Sequence, residues 1–193
     1  AYIFTKNGDT WSETQKLTAS DREGYDQFGY SVAINEDGTT AIVGAPYEDP
    51  DDLTDAGAAY IFTRDNLGNW SEMQKLTAND REGIDYFGNS VAISGTTAIV
   101  GALYEDISSG DNDNAGAAYI FTKVGNTWNQ NQKLTAGDRQ IGDKFGMSVA
   151  INEDGTTAIV GAPEEDEGGN GAGAVYIFGD DIDNDGILNI DDP

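Results

Sequence analysis

A block of residues is written three times along this chain, and that repetition limits the fold more than any other feature. Phe28-Gly29, Phe87-Gly88 and Phe145-Gly146 stand 59 and 58 residues apart. Each leads into a short apolar run, at Ser31 to Ile34, Ser90 to Ile93 and Ser148 to Ile151. Gly44-Ala45-Pro46, Gly101-Ala102-Leu103 and Gly161-Ala162-Pro163 come next. An aromatic segment closes each block: Ala59-Tyr60-Ile61-Phe62, Ala118-Tyr119-Ile120-Phe121 and Val175-Tyr176-Ile177-Phe178. Self-similarity at a fixed period signals an array whose units bury their apolar faces against one another.

Every repeat reads as four short strands. The first two are apolar runs of Ala, Val and Ile joined by Glu36-Asp37-Gly38, by Ser94-Gly95 or by Glu153-Asp154-Gly155. An Asp-Gly between two apolar runs is a strong hairpin signal. The Tyr-Ile-Phe segment is the third strand. The fourth runs from Trp11, Trp70 or Trp128 to a common Gln-Lys-Leu-Thr-Ala, and its polar residues suit an outer position. No stretch keeps a 3.6-residue period, so the expectation is an all-β fold. A tandem four-stranded sheet, small and apolar at one edge and polar at the other, describes a propeller blade.

The order Phe-Gly, Gly-Ala-Pro, Gly-Ala-x-Tyr-Ile-Phe resembles the FG-GAP repeat of bacterial surface proteins and of integrin alpha chains. The resemblance covers residues 1 to about 178. It implies β-propeller blades of four antiparallel strands and a role in binding at the cell surface. The integrin-type calcium loop between strands one and two is not matched, because Ala41 stands where its last Asp belongs and the middle turn shrinks to Ser94-Gly95.

Counted by strand, the chain holds two complete blades, a two-stranded remnant at 1–18 and a three-stranded blade at 147–178. Propellers have four to eight blades. Three repeats are therefore expected to form a partial propeller within a longer chain, or one completed by oligomerisation. The chain begins inside a repeat, at Ala1-Tyr2-Ile3-Phe4, as a processed chain or an excised segment would. The expected division is 1–178 for the repeats (signposts at 28–62, 87–121 and 145–178) and 179–193 for an acidic calcium loop or linker.

Composition narrows the function. Lys and Arg number 10 against 35 Asp and Glu, a net charge of −25. Nucleic acid needs a basic face, so it is not an expected partner, and anionic lipid is disfavoured on the same ground. There is no Cys and no His. That removes thiolate chemistry and the commonest general base and transition-metal ligand. No apolar run reaches the length of a membrane span, so membrane insertion is not expected.

The tail carries the sharpest motif. Asp181, Asp183 and Asp185 occupy loop positions 1, 3 and 5, followed by Gly186, the Ile187 carbonyl at 7, Asn189 at 9 and Asp192 at 12. Hard oxygen ligands at this spacing point to Ca²⁺. The segment also resembles a thrombospondin type 3 calcium repeat; the alternative is an acidic linker. A second acidic pattern precedes each Phe-Gly: Asp21 and Asp26, Asp80 and Asp85, Asp138 and Asp143. Three roles are open for these pairs: caps for backbone amides, Ca²⁺ ligands or ligand contacts. Trp11, Trp70 and Trp128 are expected to pack between blades.

No Gly-x-Ser-x-Gly, P-loop or dinucleotide fingerprint is present. The acidic positions follow the repeat rather than breaking it, so the chain is not expected to be an enzyme. The leading expectation is an extracellular, calcium-binding adhesion module whose partner is a protein or glycan at a cell surface. A structural subunit that assembles with its own copies into a ring, sheath or fibre is the alternative. A carbohydrate-active or carbohydrate-binding propeller ranks below both.

Overall fold

The computed structural model describes residues 1–108 and 113–179. It is an all-β partial propeller of antiparallel sheets. The N-terminal hairpin pairs β1 (Tyr2–Asn7) with β2 (Thr10–Lys16). One complete blade runs β3 (Ser31–Ile34), β4 (Thr40–Ala45), β5 (Ala58–Arg64) and β6 (Trp70–Leu76) in spatial order. The next runs β7 (Phe87–Ser94), β8 (Thr97–Ala102), β9 (Ala117–Val124) and β10 (Thr127–Leu134). A three-stranded sheet ends the series with β11 (Ser148–Ile151), β12 (Ala158–Ala162) and β13 (Ala174–Phe178). The helix among the described residues is a single 3₁₀ turn, Pro50–Asp52. Two whole blades between two partial ones is the division the strand count predicts.

Local chemistry sets each element. Asn35 Oδ1 accepts from Thr39 N (3.0 Å) and Thr40 N (2.9 Å), closing the β3–β4 turn. Asn152 does the same for Thr156 and Thr157. These are side-chain-supported turns, as Asn favours. Each fourth strand carries a bulge at the same place, opposite Ile3/Phe4, Ile61/Phe62 and Ile120/Phe121. The extra residue re-aims the Gln and Lys that follow it. β4 is buried throughout and β8 nearly so, as strands covered on both faces should be.

The core lies between blades rather than within them. Ile42, Ile61 and Leu76 of one blade meet Phe87, Val100, Tyr119 and Trp128 of the next. The Phe-Gly signpost hooks the blades together. Phe87 N donates to Ala56 O (3.0 Å) and Phe145 N to Ala115 O (2.9 Å) across the junction. Their rings turn back into their own sheets, with Phe87 edge-on to Tyr119 at 5.6 Å and Phe145 5.4 Å from Tyr176.

The glycine of Gly-Ala-Pro lets the backbones approach. A Cβ at Gly44 would lie 2.0 Å from Gly88 O, and one at Gly101 2.0 Å from Gly146 O. Ser31 and Ser90 hydroxyls donate to the same two carbonyls at 2.8 and 2.7 Å. Trp70 and Trp128 are buried at blade junctions, as expected. Trp11 is 63% exposed, because no described sheet lies on its outer side.

Candidate functional site

The recurring acidic residues split into two jobs. Asp26, Asp85 and Asp143 are buried, and each carboxylate accepts the backbone N–H three residues upstream, from Glu23 (2.5 Å), Glu82 (2.6 Å) and Gln140 (2.6 Å). Burial pushes Asp85 up to about 7, with Glu105, Glu82 and Asp106 adding like charge. Burial raises Asp143 as well.

Asp21 and Asp80 instead face the third and fourth strands of a blade, and Asp138 faces the third strand of the last one. Tyr60 Oη donates to Asp21 (2.9 Å) and Tyr176 Oη to Asp138 (2.7 Å). Tyr119 Oη lies beside Asp80 without a hydrogen bond of normal geometry. Lys75 Nζ donates to Asp21 (2.9 Å) and Glu48 (2.5 Å), and Lys133 Nζ donates to Asp80 (2.7 Å) and Glu105. The bulge puts each Lys directly across from its Tyr, with Nζ 5.8 Å from the Tyr60 ring and 5.7 Å from the Tyr119 ring. Desolvation pulls both lysines down, but their carboxylates outweigh it and hold them above the usual value. Burial still lifts Glu48 and Glu105, so the carboxylates bear the cost of the dry site and the lysines gain from it. Arg139 takes the second oxygen of Glu105, whereas Arg81 turns to Asp51 and leaves Glu48 Oε2 without a partner.

The last blade repeats this socket without a lysine. Asp138, Glu165 and Glu167 bring carboxylate oxygens within 4.8 Å of one another, a group that could hold a metal ion. Glu165 is only 4% exposed. Its neighbour Asp143 is spent on the Gln140 amide and is not part of the group. The tail motif of Asp181, Asp183, Asp185, Ile187, Asn189 and Asp192 lies outside the described residues.

A second feature runs along the loop end of the blades. Tyr30 and Tyr47 lie 6.5 Å apart, Tyr47 and Tyr86 4.7 Å, and Tyr86 and Tyr104 5.0 Å, centroid to centroid. Lys144 Nζ caps the row 6.0 Å from the Tyr104 ring and pairs with Glu164 at 3.5 Å. These tyrosines follow Phe-Gly, precede it or follow Gly-Ala-x, so no single motif position betrays the row. Glu48, Glu105 and Glu165, two residues past each Gly-Ala-x, are the socket members that sequence reasoning missed. Their fixed place in the repeat was the available signal.

A comparison with curated proteins gives no match. Among solved structures, the chain is similar to the periplasmic gluconolactonase of Pseudomonas aeruginosa, with a TM-score of 0.51 and 12% identity. The match covers 86% of this chain and 44% of that one, so the chain spans less than half the length of its structural neighbour. At that identity the likeness concerns the fold alone. The FG-GAP repeat family model matches residues 11–62, 70–121 and 128–178, each beginning at the tryptophan of a fourth strand and ending at the phenylalanine of the next third strand. With most of its length accounted for in this way, the chain belongs to the FG-GAP repeat family.

Proposed function

We propose that this chain is part of a non-enzymatic binding module displayed outside the cell, with the tyrosine row as its contact surface for a protein or glycan. The observation that carries the reading is the row itself: four rings in sequence across two blades, one of them 58% exposed and three half-buried. Tyrosine offers large, rigid, amphipathic contact area at low entropic cost. Support for a non-catalytic role comes from the carboxylates, whose buried members are engaged by backbone amides, Lys or Arg rather than paired across a cleft.

Calcium enters this reading through Asp181, Asp183, Asp185, the Ile187 carbonyl, Asn189 and Asp192, on the strength of their spacing. Terbium luminescence of the full chain, with and without excess calcium, reports that site; Asp183→Asn together with Asp185→Asn should abolish the signal.

The contact surface is tested with fluorophore-labelled chain on a panel of immobilised neutral and acidic oligosaccharides and on intact cells. Retention should drop about ten-fold or more in the Tyr47→Ala, Tyr86→Ala double variant. Unchanged retention would sink the tyrosine surface. Hydrolysis of glucono-1,5-lactone above the buffer rate would sink the non-enzymatic reading.

A further inference from the structure

Among the described residues the last blade has three strands, and the groups a fourth strand touches in the complete blades stand beside it. At the first junction Gln15 Nε2 donates to Trp70 O (2.7 Å) and Gln15 Oε1 accepts from Trp70 N (2.8 Å). Gln74 holds Trp128 in the same two-way grip at 2.8 and 2.8 Å. Gln132, third in the series, is exposed, and its side chain makes no hydrogen bond among the described residues. Two residues past each buried Trp, a side chain takes an amide of the preceding connection: Glu72 from Ser20 N and Gln130 from Asn79 N, both at 2.8 Å. The third such amide, Gly137 N, has no acceptor among the described residues. Where Trp70 and Trp128 fill the earlier junctions, an open groove of about 450 Å³ lies between Ile120, Leu134 and Phe178. The socket of Asp138, Glu165 and Tyr176 lacks the lysine that its two counterparts hold.

The other end of the chain presents the complementary half. β2 carries Trp11, Glu13 and Lys16 at the spacing of Trp70, Glu72 and Lys75. Trp11 is exposed, and Lys16 reaches its cross-strand Tyr2 ring at 5.6 Å but forms no ion pair among the described residues. The described residues hold four third strands (β1, β5, β9, β13) and three fourth strands (β2, β6, β10), so among them one third strand has no fourth strand beside it.

We propose that the open edge of β13 is an acceptor site for β2 of a second copy of this chain, docked antiparallel with Lys16 opposite Tyr176. The register follows from Lys75 opposite Tyr60 and Lys133 opposite Tyr119. Gln132 then grips the Trp11 backbone, Glu13 accepts from Gly137 N, the Trp11 ring fills the groove, and Lys16 enters between Asp138 and Glu165. To do this β2 exchanges β1 for β13. The ladder lost is regained in kind, and in this register Val175 and Ile177 take the places of Ala1 and Ile3, which pack on the core of the first blade. Adding a strand to a free edge lets backbone bonds supply affinity while side-chain pockets supply register. Each copy donates at one end and accepts at the other, a heterologous contact that closes into a ring or propagates. The proposal rests on the open blade ends and is independent of the tyrosine surface.

The test uses a fluorescein-labelled peptide of residues 9–19. The acceptor is the full chain carrying Lys16→Glu, which disables its own β2 and keeps β13 intact. Anisotropy should report saturable binding, weakened about ten-fold or more by Trp11→Ala or Lys16→Glu in the peptide, or by Glu165→Gln added to the acceptor. The peptide variants cannot disturb the acceptor's folding. In light scattering, the wild-type chain should exceed 20.5 kDa as concentration rises, and the Lys16→Glu chain should stay at that mass. Absence of peptide binding, or equal binding of the Lys16→Glu peptide, overturns the acceptor site. Peptide binding by a wild-type chain that remains monomeric at every concentration overturns the second copy as occupant. Displacement of the peptide by millimolar calcium chloride assigns Asp138, Glu165 and Glu167 to a metal and overturns the socket.

Discussion

Gly101→Ala adds one methyl group at a place where two blades touch through bare backbone. The new Cβ would sit 2.0 Å from Gly146 O, and real Cβ contacts essentially never fall below 3.0 Å, so the blades must part by about 1 Å. That separation also breaks the Ser90 hydroxyl bond to the same carbonyl, now 2.7 Å. Overpacking of this kind costs about 1–3 kcal/mol, and loss of a buried hydrogen bond adds about 1 kcal/mol. The expected destabilisation is about 2–4 kcal/mol. Gly161 supplies an internal control, since its Cβ would meet the movable Ser148 hydroxyl at 2.5 Å and no backbone of a following blade. Gly161→Ala should therefore cost less than about 1 kcal/mol in the monomer. Urea titration followed by tryptophan fluorescence, at a concentration where the chain is monomeric, measures both. If Gly161→Ala costs as much as Gly101→Ala, the glycine serves its own strand and the blade-contact reasoning fails.

Other expectations are equally direct. Asp85, held at about 7 against an ordinary 3.8, keeps a proton in the folded state that the unfolded chain releases. Its contribution is full below about pH 3.8 and is lost as pH rises through about 7, an interval worth about 4 kcal/mol. Asp85→Asn retains an acceptor for the Glu82 amide and should flatten the decline measured by denaturation between pH 4 and 8; an unchanged decline would contradict the assignment. Ile84 is a β-branched residue at φ 73°, where the corresponding residue of the next repeat is Gly142 at φ 87°. Ile84→Gly should raise stability by about 0.5–1 kcal/mol in the same titration, and a loss would show that its partly exposed side chain matters more than the strain. Trp128→Ala should cost about 3–5 kcal/mol, because the ring is 2% exposed between blades. Trp11→Ala should change the monomer by less than about 0.5 kcal/mol.

Much of the fold was legible because it is written in local chemistry. Asp-Gly turns, apolar runs of four to six residues and the Trp-to-Ala segment each specify a strand or a turn through near neighbours, and the repeat multiplies the signal. The two partial sheets were legible too, since counting strands by type leaves β1 and β13 without complete sheets among the described residues. The buried Asp of each connection takes the capping role, one of the three its spacing left open, because its partner lies three residues away.

What the sequence by itself determined is therefore the order of strands, the period and the blade count, all properties of hydrogen bonds and side-chain alternation within one sheet. Only the tertiary structure decided how neighbouring blades meet. Lys75 finds Asp21 and Glu48, 54 and 27 residues away, and four tyrosines from different motif positions fall into one row. The physical reason is that a strand pattern fixes which face a residue occupies, while the stacking of one sheet on the next fixes what that face touches. In this chain that stacking is set by Gly44 and Gly101 pressed against the carbonyls of Gly88 and Gly146.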